Sequence, residues 1–173
     1  MEQANELSEL LIKTGQSLEQ KVVVVFTNMN SPLGKYAGNA LEIKESIEFL
    51  KGVSAPDIYE ITKALSTEMI LLTQPSKSKV EADEMFDTVI QNGKALQIFR
   101  NFIQIQGGNP DICDDLSLLP RAKYELPIMA DKTGWIESIN SQQIGYSLVN
   151  IGAGRKTLDS QLNYAAGAFL PKK

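Results

Sequence analysis

The sequence predicts an α/β fold with α+β character, rich in helix around a mixed sheet and followed by the start of a small α+β portion. Three observations lead there. Lys21 to Phe26 sets four β-branched residues in a row without polar alternation, as in a strand covered on both faces. Helical periodicity then recurs four times before residue 106, three times behind an explicit start signal. From about Asp111 the texture changes to turns and short extended pieces.

The elements follow in order. Residues 3–18 read as a helix, because Leu7, Leu10, Leu11, Thr14 and Leu18 recur at three- and four-residue steps. Gly15 is expected to end or weaken it. After the Lys21 to Phe26 strand comes a turn built around Pro32, Gly34 and Gly38. The next helix starts at Asn39, whose side chain is placed to accept the Glu42 amide, with Glu42 at the capping-box position. Ala40, Ile43, Ile47 and Leu50 share its apolar face, and Gly52 stops it. Ser54 to Asp57 repeats the start signal with a proline in the first turn, and Ile58, Ile61, Leu65, Met69 and Leu72 form the stripe that follows. Ser78 and Glu81 form another capping box, opening a helix with Val80, Met85, Phe86, Val89 and Ile90. A further helix runs from Lys94 to Ile105, with Leu96, Phe99, Phe102 and Ile103 inward, until Gly107 to Pro110 stops it.

Beyond Pro120, Tyr124 to Met129 and Gly134 to Ile139 read as extended, separated by turn chemistry at Asp131 to Gly134. Ser141 to Ile151 reads as a short helix, and Gly152 to Arg155 as a loop. Tyr124 and Trp135 read as core or interface aromatics. One strong strand in the first 120 residues cannot make a sheet alone. Its partners are expected in another chain or in a larger fold.

Composition narrows the chemistry. The 173 residues are 43% hydrophobic and 22% charged, which is ordinary globular material of about one domain. A net charge of -4 argues against a nucleic-acid partner. No run of about 18 apolar residues suggests a membrane span, and the polar first residues do not resemble a secretory signal. With one cysteine, Cys113, no internal disulfide forms, and cytoplasmic residence fits. There is no histidine, so imidazole catalysis and the usual zinc sites are excluded within this chain. The aspartates 111, 114 and 115 disfavour a Cys113 thiolate, and they lack the spacing of a calcium loop.

Four stretches, in order, carry a family resemblance. They are Asn28-Met-Asn-Ser-Pro-Leu-Gly34 with Gly38-Asn-Ala-Leu-Glu-Ile-Lys-Glu45; Asn92-Gly-Lys-Ala95 with Phe99; Gln106-Gly-Gly-Asn109; and Gly152-Ala-Gly-Arg155 before Ala166-Gly167. Together they resemble the pyrimidine-nucleoside phosphorylases, which include thymidine phosphorylase, over essentially the whole chain. The resemblance implies that residues 1–120 are part of a large α/β lobe, and that 121–173 begin a C-terminal α+β domain. It implies a pentosyltransferase of pyrimidine salvage, homodimeric, splitting thymidine or uridine with phosphate as co-substrate into base and pentose 1-phosphate.

The family's Lys-Ser-Thr-Gly-Gly phosphate loop does not occur here; Lys77-Ser78 has no Gly-Gly after it. Nor does the family's base-holding arginine, serine and lysine set. No catalytic or substrate-binding residue is therefore assigned, and the chain is expected to be a fragment that is inactive alone. What the resemblance does place here is part of a potassium site: the backbone carbonyls of Leu33 and Tyr36 and the carboxylate of Glu45. Asn28 and Asn163 stand where the family often has acids. From its own helix, Glu45 lies off the apolar face and reads as a solvated surface glutamate. Gly152 to Arg155 reads as a plain loop or a weak anion-binding one. The alternative of another class is a non-catalytic structural module, or one that completes a partner. A phosphoribosyltransferase is a third reading.

Overall fold

The computed structural model describes residues 1–171. Its helices are α1 (Glu2–Ser17), α2 (Asn39–Leu50), α3 (Pro56–Thr73), α4 (Lys79–Gln91), α5 (Lys94–Ile105) and α6 (Ser141–Asn150). Short 3-10 turns occupy Pro110–Cys113 and Leu116–Leu118. Two short strands, β1 (Tyr36–Ala37) and β2 (Ala168–Phe169), pair antiparallel, with Tyr36 opposite Phe169 and Ala37 opposite Ala168. Helix thus dominates, as expected of this sequence, but the sheet of the described residues is this antiparallel pair rather than a mixed sheet. The described residues divide into two units, 1–28 with 60–86, and 29–59 with 87–171.

In the first unit, α1 runs through Gly15 instead of stopping there. Gly15 is buried because Val22 folds back on it; a Cβ at this position would lie 2.2 Å from Val22 Cγ2. The Gln20 amide returns to the Gly15 carbonyl at 2.9 Å, closing the turn. The run Lys21 to Phe26 is not a strand. It is extended, and Val23 and Phe26 remain 45% and 49% exposed. β-Branched residues favour extended backbone, but a strand exists only when a second backbone satisfies its amides and carbonyls. No described residue pairs with this run.

The α4 start follows the expected box: the Ser78 amide donates to Glu81 Oε2 at 2.8 Å, and the Glu81 amide donates to Ser78 Oγ at 3.3 Å. Thr67 of α3 is buried and donates its hydroxyl to Asp83 of α4. Ala82 and Phe86 are the buried apolar residues here, while Leu65, Met69 and Val80 of the expected stripes stay exposed.

The second unit contains the better-formed core. Ile47 is 0% exposed, with Ala40, Phe49, Cys113 and Ala166 also buried. Arg100 of α5 donates to the Asp114 carboxylate at 2.5 Å and to the Pro110 carbonyl at 3.4 Å, fastening the 3-10 turn that buries Cys113. The α5 bounds match the sequence reading, although Phe102 of its expected inner face is exposed.

Residues 121–140 depart from expectation most. Tyr124 to Met129 and Gly134 to Ile139 carry no strand, and Trp135 is 89% exposed. The core reading of Tyr124 and Trp135 is therefore wrong in this structure, because no described element covers them.

Candidate cation site

The turn from Asn28 to Gly38 is held by carboxylates reaching in from two helices. Glu45 projects from the second turn of α2, and its Oε1 accepts the Lys35 amide at 2.7 Å. Asp57 projects from the first turn of α3, and its Oδ2 accepts the Gly34 amide at 3.1 Å. Two successive backbone N–H groups are thus each taken by a carboxylate, the stronger class of acceptor.

Glu45 is only 8% exposed, which corrects its reading as a surface glutamate. The helix face it occupies is off the apolar stripe, but the turn folds over that face and buries it. Gly34 makes this approach feasible. A Cβ there would stand 2.4 Å from Glu45 Oε2 and 2.5 Å from Ile58 Cδ1, and Gly34 adopts φ +68°.

The start of α2 also differs from expectation. Its N-cap is Gly38, whose amide donates to Glu42 Oε1 at 2.9 Å. Glu42 reaches back one residue further than the expected box, and its own amide donates to the Gly38 carbonyl at 2.9 Å rather than to Asn39. The Asn39 side chain donates instead to the Ala153 carbonyl at 2.8 Å. A loop distant in sequence offered that amide group a partner, and the local cap lost the competition.

The C-terminal part of the unit braces the same turn. The Ala40 amide donates to the Tyr164 carbonyl at 3.1 Å, and the Leu170 amide to the Lys35 carbonyl at 2.7 Å. The glycines at 38 and 167 interlock: a Cβ on Gly38 would meet the Ala166 carbonyl at 2.5 Å, and one on Gly167 the Ala37 carbonyl at 2.6 Å. Tyr36 packs its ring on Phe169 at 4.9 Å, with the Lys44 ammonium 5.0 Å from the ring centroid. Lys35 and Leu170 form a hydrogen-bonded rung, so antiparallel alternation puts Tyr36 and Phe169 in a non-bonded rung. The ladder therefore leaves the Tyr36 carbonyl uncommitted.

No protein-family model matches the chain. Individual relatives do. The pyrimidine-nucleoside phosphorylase of Bacillus subtilis (strain 168) is 36% identical over 172 residues, covering 99% of this chain and 40% of the relative. That of Geobacillus stearothermophilus is 35% identical over 170 residues, covering 98% and 39%. That of Staphylococcus aureus (strain USA300) is 33% identical over 173 residues, covering 100% and 40%. The chain spans about 40% of the length of the curated relatives it matches.

This chain is a homologue of the pyrimidine-nucleoside phosphorylases along its whole length. The four stretches that carried the resemblance lie within that alignment.

Of the phosphorylase positions expected to ligate potassium, Leu33 and Tyr36 flank the two clamped amides, and Glu45 supplies one of the clamps. The three come from one turn and the helix that buries it. Glu45 Oε1 is committed to Lys35, while Oε2 lies against Gly34 with no protein donor among the described residues. A carboxylate oxygen without a protein donor and the backbone carbonyls of the same turn are oxygen ligands of the kind that suits a hard cation. Among the described residues there is no group of three or more Cys, Asp or Glu side chains able to hold a metal. A site here would therefore depend on backbone oxygens.

The phosphorylase-like loop Gly152 to Arg155 acts as a brace, through the Ala153 carbonyl on Asn39, and Arg155 is exposed. Asn163 turns its side-chain oxygen to the Ala165 amide at 3.1 Å, and its own amide donates to the Gly152 carbonyl at 2.9 Å. Sequence reasoning missed Asp57. Its only signal was an acid in a helix's first turn, and nothing periodic ties it to a residue 23 positions earlier. Burial raises the Cys113 thiol above its ordinary pKa; the Arg100 charge opposes this and the Asp114 charge adds to it. No described helix is long and apolar enough to cross a membrane.

Proposed function

We propose that this chain forms the supporting part of a pyrimidine-nucleoside phosphorylase of nucleotide salvage. In the assembled enzyme, phosphate oxygen bonds to the anomeric carbon of thymidine or uridine as the glycosidic C–N bond breaks. The bonding electrons leave on the base, which takes up a proton, and pentose 1-phosphate is the second product. The groups that grip phosphate and base lie outside these residues. This chain orients the turn that would hold a potassium ion, through the Leu33 and Tyr36 carbonyls and the Glu45 carboxylate. The bound ion would supply positive charge near the anionic co-substrate. In this reading residues 1–120 belong to the α/β lobe and 121–173 open the C-terminal domain, and the enzyme is a cytoplasmic homodimer.

The observation that carries the reading is identity of 33–36% with named phosphorylases over nearly every residue. The burial of Glu45 against the turn supports the cation part. The test has two arms. Incubated alone with thymidine or uridine and phosphate, the chain is expected to release no base above blank. Co-expressed with the rest of the Bacillus subtilis relative, it is expected to restore release. Base release by the chain alone would overturn the division of labour. A well-folded assembly that stays inactive would overturn the scaffold role.

A second reading is a non-catalytic module that completes another polypeptide. It is favoured by the run Val22 to Phe26, which no described strand pairs and which leaves Val23, Val25 and Phe26 exposed. Gel filtration tests it: self-association through the run supports a surface that another polypeptide covers, and a clean monomer with a cooperative, native-like melt argues against a cut-out fragment.

A further inference from the structure

We infer that Asp57 is a positioning residue for the cation site, aiming the Leu33 carbonyl by holding the amide of Gly34. The inference deepens the cation reading proposed above and rests on it. Both oxygens of the Asp57 carboxylate accept backbone amides. Oδ2 accepts the Gly34 amide at 3.1 Å, and Oδ1 accepts the Ile58 amide at 3.0 Å in the first turn of α3. The side chain thus ties the turn to a helix end whose own amides need acceptors.

The consequence comes from peptide geometry. No cis bond occurs among the described residues. In a planar trans unit the N–H of one residue and the C=O of the preceding one point in opposite directions. Fixing the Gly34 amide on Asp57 therefore fixes the Leu33 carbonyl to point away from Asp57. The next unit is locked in the same way. The Lys35 amide is held by Glu45, so the Gly34 carbonyl points away from Glu45. Two consecutive locks thus dictate where the carbonyls of the turn face, and Gly34 at φ +68° supplies the bend between them. Asp57 acts through its acceptor oxygen on a backbone amide. It is not itself a ligand in this scheme.

Acceptor and charge can be separated experimentally. Asp57→Asn keeps one carbonyl oxygen for the Gly34 amide, gives up the acceptor for Ile58 and removes the charge, whereas Asp57→Ala removes both acceptors and the charge. The full chain, labelled with nitrogen-15 and assembled with the rest of the Bacillus subtilis relative, is titrated with potassium chloride against choline chloride at constant ionic strength. The amide shifts of residues 33–36 are followed, with thallium(I) resonance as an independent probe. Wild type is expected to show a potassium-specific response. Asp57→Ala is expected to weaken affinity by about tenfold or more, and Asp57→Asn to stay within about threefold of wild type. Equal losses in both variants would mean action by charge or direct ligation, and would overturn the inference. Unchanged affinity in Asp57→Ala would overturn it too. A wild-type chain without any potassium-specific response would remove the cation reading and the inference together, which the other outcomes do not. Should Asp57→Ala fail to fold, Asp57→Asn decides alone: retained affinity supports the role and lost affinity overturns it.

Discussion

The carboxylate of Glu45 accepts the backbone amide of Lys35 at 2.7 Å, ten residues earlier in the chain. This contact turns a flexible glycine- and proline-rich segment into a defined structure. It buries a charge that helical periodicity alone would leave in water. Hydrogen bonds to charged groups contribute about 1.5–3 kcal/mol each, and an amide left without its acceptor costs a similar amount. Glu45→Ala is expected to destabilise the chain by about 2 kcal/mol in urea melts. Glu45→Gln, which keeps an acceptor oxygen, should lose less. Equal stability of Glu45→Ala and wild type would refute the clamp.

Gly34 and Gly52 offer a matched comparison. Both have positive φ, +68° and +84°, so a side chain at either carries backbone strain of about 1–2 kcal/mol. Only at Gly34 does a Cβ also collide, with Glu45 and Ile58; at Gly52 nothing lies within 4 Å. Gly34→Ala should therefore cost clearly more than Gly52→Ala in chemical denaturation. Equal losses would mean that Glu45 does not press on the turn.

Ile47 is completely enclosed in the core of its unit. Ile47→Val is expected to cost about 1 kcal/mol and Ile47→Ala about 2–5 kcal/mol, measured by the same melts. A loss well under 1 kcal/mol for the alanine variant would show that this core does not hold the unit together.

The Ser78 amide, and then its hydroxyl, hold the Glu81 carboxyl down from 4.5 to about 2, with Lys77 adding to the effect. A carboxyl depressed in the folded state adds stability that is present above its unfolded value. That contribution fades as pH falls from 4.5 toward 2. Ser78→Ala removes the hydroxyl but leaves the amide. The Glu81 midpoint, read by carbon-13 NMR, should rise part-way toward 4.5. A midpoint that does not move would show that the hydroxyl plays no part.

Cys113 is wholly enclosed, and its thiol is pushed up first by that burial. Disulfide-exchange reagents need an exposed thiolate. Labelling of the native chain should be on the order of a hundredfold slower than in urea, and should report opening of the unit that contains α5. Rapid native labelling would contradict the Arg100–Asp114 fastening as a lasting feature.

What the residues alone determined was local. The bounds of α5 and the reciprocal Ser78–Glu81 cap followed from short-range hydrogen-bond competition and periodicity, which act within a few residues. The family resemblance could also be read, because four stretches from Asn28 to Gly167 are similar, residue by residue and in order, to the pyrimidine-nucleoside phosphorylases. Tertiary structure decided everything that required a second backbone or a distant side chain. It left Lys21 to Phe26 unpaired, since strand propensity cannot supply a ladder partner. It moved Asn39 from cap to cross-link, since Ala153 lies 114 positions away. It brought Glu45 and Asp57 onto adjacent amides of one turn. Periodicity marks which face of a helix is greasy; only packing decides which polar group on the other face is taken out of water.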